Sequence, residues 1–283
     1  MFLSIRIATL RREISLILPS KGSYSNCAAQ LKKIRKIMGN QENDFVSAGF
    51  FVSKRVPRQA YMSSALLPEK LISASHCICN FIPDLWAIEW VNESQESRAE
   101  NAAAFGIDST KLKEVINWVT PRFGDAIGWP NICFNLDITK EIKTLFVPTA
   151  ADVVIVELAL HRKFIDAFCA EAEPPKSQAD YAPVGKQGVY EAILTGCTIM
   201  PGGMQLGFEP LVFDGALSCS WLCNGLEKDI KERFGISPNK YGFIELFEDA
   251  CKSIEYISRE EVGAEPGLWL PWLLIEINTT SVF

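Results

Sequence analysis

Nine cysteines and two histidines are the residues whose types first invite chemistry in this chain. Cys77-x-Cys79 and Cys219-x3-Cys223 together offer four thiolates to a zinc ion. Structural zinc sites, however, draw on CxxC-type pairs in polar loops, and both pairs here sit in apolar surroundings. They read as buried structural thiols, and no metal or cofactor is expected. A cysteine hydrolase needs a base near its thiol. The only candidates are His76 and His161, and a Cys219–His161 pairing has no nucleophile-elbow motif behind it. His161 follows directly on an apolar run, where a helix-start residue with a backbone partner is the simpler role.

Carboxylates come next. Glu157 lies inside the run VVIVELAL, and Glu209 and Asp214 bracket the second apolar run, Leu206 to Phe213. A charged, unpaired carboxylate among valines is costly, so Glu157 is expected to point outward from an alternating strand. Phosphate-binding loops, a dinucleotide fingerprint and a serine elbow are all missing from the sequence. Turn residues at Gly124-Asp125 and Gly128-Trp129-Pro130-Asn131 mark a loop. A hydrolase or transferase with a site built from loops around Asp125, Trp129, Asp214 and Cys219 is therefore carried as the alternative function.

The elements that would position these groups centre on Gly207 to Ile257. Leu206 to Phe213 reads as a strand, edge-placed or bulged because of Pro210. Ser218 to Phe234 has helical spacing, with Cys219, Leu222, Cys223, Leu226, Ile230 and Phe234 on one face and Gly235 as its stop. Trp221 falls among that helix's polar residues. Tryptophan is usually buried, but it is also enriched at interface hot spots, so Trp221 is a candidate anchor for a partner. A second helix follows Ser237-Pro238-Asn239, burying Phe243, Phe247, Ala250, Cys251, Ile254 and Ile257. Its outer face carries Glu245, Glu248, Asp249, Lys252 and Glu255.

Elsewhere, Phe45 to Val56 and Val153 to Leu160 read as strands, the latter central. Trp269 to Ile277 reads as a further strand, edge-placed because of Pro271. Leu85 to Val91 is another strand, Cys27 to Met38 a basic helix, Asp137 to Phe146 a helix, and Asp108-Ser109-Thr110 an N-cap cluster opening one more helix. The fold class is α+β, a mixed β-sheet with amphipathic helices packed on it, plus a basic N-terminal extension. The soft domain boundary falls near Met62, giving 1–61 as extension or small subdomain and 62–283 as the main domain.

At 283 residues, with 48% apolar and 22% charged content, the chain can bury an ordinary globular core. No apolar run reaches bilayer-spanning length, and Arg6, Arg11 and Arg12 interrupt the apolar N-terminus before a signal-peptide core accumulates. Cysteine usage suits a reducing compartment, so the cytoplasm is expected. Residues 1–70 hold twelve Lys/Arg and four Asp/Glu, whereas the remaining 213 hold sixteen and thirty. An acidic body of that kind disfavours nucleic acid, leaving only the basic extension as a nucleic-acid or membrane tether. It suits a basic protein partner. The expected function is a cytoplasmic, bacterial-type interaction protein of the immunity or inhibitor kind. It would bind and neutralise or regulate a basic partner such as a toxin enzyme through Trp221, Glu245, Glu248, Asp249 and Glu255.

Overall fold

Five antiparallel strands organise the computed structural model, which describes residues 44–58, 64–75, 114, 117, 136–146, 153–172, 192–213 and 217–278. The chain divides into two compact units, Met1–Glu42 and Asn43–Phe283, and the first lies outside the described residues. So do the helix expected at 27–38, the strand at 85–91 and the Asp108 N-cap cluster. In order, the second unit contains β1 (Phe45–Lys54), β2 (Val56–Pro57), β3 (Lys70–Leu71), α1 (Leu136–Phe146), β4 (Val153–His161), α2 (Ile165–Glu171), β5 (Met204–Phe213), β6 (Leu217–Ser220), α3 (Glu227–Phe234), α4 (Phe247–Ile257) and β7 (Leu268–Ile277).

The main sheet runs β1-β4-β7-β5-β6, and β2 and β3 form a separate two-stranded ladder. The α+β class is as expected, but every pairing in the sheet is antiparallel, where a mixed sheet was anticipated. β1 lies before the boundary expected near residue 62, yet it pairs with β4 along its length.

Both faces of the sheet are covered, and this decides how its strands are coloured. On one face Val154, Val156, Leu158 and Leu160 of β4 pack with Leu270, Trp272 and Leu274 of β7 and with Phe168 of α2. On the other, Ile155 and Ala159 join Leu273, Ile275 and Ile277 beneath Ala250, Ile254 and Ile257 of α4 and Ile230 of α3. An unbroken apolar run is what a strand buried on two sides requires.

Glu157 is therefore not on a solvent face. It is fully buried, and its carboxylate accepts from the Met200 N–H at 3.0 Å and from the Ser47 hydroxyl. Burial holds its acid pKa above the ordinary carboxylate range, against the pull of those donors.

β7 is the middle strand, not an edge, and its proline is accommodated by register. Pro271 sits opposite Pro210, while pairing of β7 with β4 extends only from Leu273 to Ile277. Among the described residues, no strand pairing on that side calls for the missing N–H. β5 likewise lies inside the sheet, and its bulge falls at Gln205–Gly207.

The segment expected as one long helix is split. Leu217–Ser220 is strand β6, residues 221–226 are turns, and only Glu227–Phe234 is helical, ending at Gly235 with φ 71°. Leu217 and Ser220 pair with Phe213 and Leu211 of β5, and Gly225 adopts a left-handed φ of 67°. Ser220 closes the turn: its hydroxyl accepts the Leu222 N–H and its carbonyl accepts the Cys223 thiol and the Asn224 amide. Serine commonly diverts backbone groups into such turns.

Candidate partner-binding surface

α4 is set on the sheet by the segment just before it. Phe208 and Ile244 exchange backbone hydrogen bonds at 2.7 and 2.9 Å, forming an isolated bridge beside β5. The Asn239 side chain donates to the Leu206 carbonyl and accepts from the N–H groups of Tyr241 and Phe243. Gly207 permits this approach: its φ is +130°, and a Cβ there would stand 2.8 Å from the Phe243 Cβ and 2.9 Å from the Ile244 carbonyl oxygen.

Phe247, the first residue of α4, enters an aromatic cluster drawn from four elements. Its ring centroid lies 5.6 Å from Phe45 of β1, 5.5 Å from Phe208 of β5 and 6.3 Å from Phe164, and His161 at the end of β4 stacks on it. His161 also caps the turn that follows, its Nδ1 accepting the Lys163 N–H at 3.1 Å, as the sequence suggested. Its pKa lies below the ordinary histidine value, burial being the largest cause, with Asp44 and Glu248 pulling upward and Lys163 downward.

Lys163 closes the cluster on its solvent side. Its ammonium stands 4.6 Å from the Phe247 centroid and 4.7 Å from that of Phe164, and it donates to Cys251 Sγ at 3.3 Å. The Cys251 thiol pKa is pushed up, chiefly by burial, with the Lys163 hydrogen bond and charge pulling it down and Glu248 and Glu255 adding to the rise.

Along the outside of α4, Glu255 is exposed and Glu248 and Asp249 half-buried, whereas Glu245, expected on the same helix, is exposed in the segment just before it, because the helix begins only at Phe247. Asp249 meets Lys252 at 3.4 Å. Glu245, Glu248 and Glu255 have no ion-pair partner among the described residues. Leu246, 38% exposed, sits between the first two of them.

Trp221 does not belong to this surface. It is completely buried in the core beneath α3 and α4, its Nε1 without a hydrogen-bond partner. An indole with no exposed area offers a partner nothing to grip. The turn at 221–226 points it inward, whereas a continuous helix would have turned it out.

Of the loop-built alternative site, only Cys219 is among the described residues. Cys219 is buried in the core, and Asp125, Trp129 and Asp214 lie outside the described residues, as do His76, Cys77 and Cys79. One arrangement not singled out from the sequence surrounds Glu209, which is fully buried on the α2 side of the sheet. It accepts from the Ser73 hydroxyl, from the Ala74 N–H at 3.0 Å and from the Ser220 hydroxyl. Burial pushes its pKa up to about 7. The Ser73-Ala74-Ser75 triplet is the only trace of this in the sequence, because its distance from Glu209 along the chain hides the contact.

No protein-family model matches the chain, and comparison with the curated proteins and with the solved structures gave no match.

Proposed function

We propose that this protein acts by contact, binding a basic protein partner through the outer face of α4, in the manner of an immunity or inhibitor protein restraining a toxin enzyme in the cytoplasm. The observation that carries this reading is the set of three carboxylates without an ionic partner among the described residues, Glu248 and Glu255 on α4 and Glu245 two residues before it. Like charges held together on a folded surface repel, and a cationic partner relieves that repulsion while steering the encounter.

Further support comes from the way α4 is held. Its first residue is locked in the aromatic cluster and its apolar face packs on the sheet, so the carboxylates ride on a rigid element. Preorganised groups lose little conformational freedom on binding. Leu246 supplies an apolar spot amid the acids, the kind of contact that charged rims surround at interfaces.

The test is affinity capture with the full chain at low ionic strength, comparing wild type with the triple variant E245K/E248K/E255K. The expected result is a basic protein retained by the wild type and lost by the variant. Recovery of the same proteins by both forms, or of no basic protein by either, contradicts the proposal.

A further inference from the structure

Lys163 is a cation seated on aromatic faces at the edge of the acidic helix, and it has no carboxylate partner among the described residues. We infer that its ammonium occupies a cation-binding subsite, and that a lysine or arginine side chain of the basic partner docks there by displacing Lys163. This rests on the reading of α4 as the partner-binding face.

Two phenylalanines form the seat. The rings of Phe164 and Phe247 stand at 75° to one another, with centroids 6.3 Å apart, and Lys163 Nζ lies within 4.7 Å of both. Ring faces carry the negative part of the aromatic quadrupole and attract ammonium or guanidinium groups held within about 6 Å. The Cys251 thiol adds a weak acceptor at 3.3 Å. The corner is preformed: His161 stacks on Phe247 at 4.4 Å and 11°, and Phe45 packs edge-on at 5.6 Å.

Access and charge also fit. Lys163 is exposed, and Phe164, Phe247 and Cys251 are half-buried, so the seat opens to solvent. Glu248 and Glu255 flank Cys251 one turn away on either side and act on it electrostatically. A cation drawn to the unpaired acids of α4 thus arrives beside the seat. Among the described residues, Lys163 gives up two cation–π contacts and one thiol bond when it leaves. An arginine gains more than it, because a planar guanidinium stacks on rings as well as attracting them.

The probe is tetramethylammonium chloride, titrated by proton NMR against sodium chloride at matched ionic strength. K163A empties the seat, and K228A on α3 removes one exposed positive charge elsewhere. The expected result is an upfield ring-current shift of the methyl signal with K163A and an affinity about threefold to tenfold above wild type, with no such gain in K228A. F247L in the K163A background abolishes the gain; should that variant not fold, the ring-current shift in K163A itself carries the result. Equal behaviour of K163A and K228A, with no upfield shift, overturns the inference. Failure of the acidic-face reading is a separate outcome: it shows in the capture experiment with the triple variant, while this small ion reports on the rings alone.

Discussion

The imidazole of His161 lies parallel to the ring of Phe247, 4.4 Å between centroids, and so joins the end of β4 to the start of α4. The same imidazole accepts the Lys163 N–H through Nδ1, which places its remaining proton on Nε2. Protonation would destroy that acceptor and set a second cation beside Lys163. His161→Ala should cost about 1 kcal/mol for the cap and further stability for the lost stacking. His161→Asn, which retains an acceptor at the cap, should recover roughly the first part only. Urea unfolding at pH 7.5 measures both.

The lowered pKa of His161 has a definite sign in stability. Its folded-state value lies below the unfolded one of about 6.5, so its contribution is complete above that value and is lost as pH falls through it toward the folded pKa. His161→Asn should remove this acid-side loss.

Glu209 titrates with the opposite sign. Its folded pKa, about 7, is raised above the ordinary 4.5, so the stability linked to it is fully present below 4.5 and is lost as pH rises through 7. The loss is on the order of 3 kcal/mol. Glu209→Gln can keep its oxygen toward the Ala74 N–H and turn its amide to the Ser73 hydroxyl. It should flatten the stability profile between pH 4.5 and 7.5 and exceed wild type at pH 8. Chemical denaturation across that range decides this, and an unchanged slope counts against the assignment.

Gly207 holds the approach of β5 to Phe243 and Ile244. Gly207→Ala meets both a left-handed φ and contacts of 2.8 and 2.9 Å, one of them with a backbone carbonyl that cannot swing away. A loss of about 2 kcal/mol or more is expected, with the near-ultraviolet spectrum of the aromatic cluster altered.

Trp221 separates a core role from a surface one. Trp221→Ala should lose about 3 to 5 kcal/mol through the cavity it leaves. Trp221→Phe leaves a smaller void but also deletes a buried N–H that has no partner, and it should stay within about 1 kcal/mol of wild type. Neither should change partner affinity per folded molecule.

The fold was legible in the sequence where a run was long and its chemistry unambiguous. VVIVELAL reads as a central strand, Gly235 ends α3, and the 3.6-residue spacing of Phe247, Ala250, Ile254 and Ile257 marks α4. Inference failed where a non-local neighbour decides. Cys219, Leu222, Cys223 and Leu226 have helical spacing, yet β5 pairs with the first part of the segment and Ser220 folds the rest into turns, which also buries Trp221. Glu157 was misplaced by assuming that one side of its strand meets water. Pro271 suggested an edge because nothing local reveals that the pairing of β7 with β4 ends at Leu273. Of the candidate site, the period placed Glu248, Asp249 and Glu255 on α4, but it also extended the helix back over Glu245, which the bridge of Ile244 to Phe208 holds outside it. The Phe164–Phe247 corner and the Lys163–Cys251 contact were not, since they join segments far apart in the chain.

The central claim concerns where the acids are, not how many the chain carries. It is tested by titrating the captured basic partner against E245K/E248K/E255K and against D229K/E232K/E261K, which makes the same change in net charge at exposed sites outside α4. The account predicts that the first variant weakens binding by about tenfold or more beyond the second. Equal weakening by the two would contradict it.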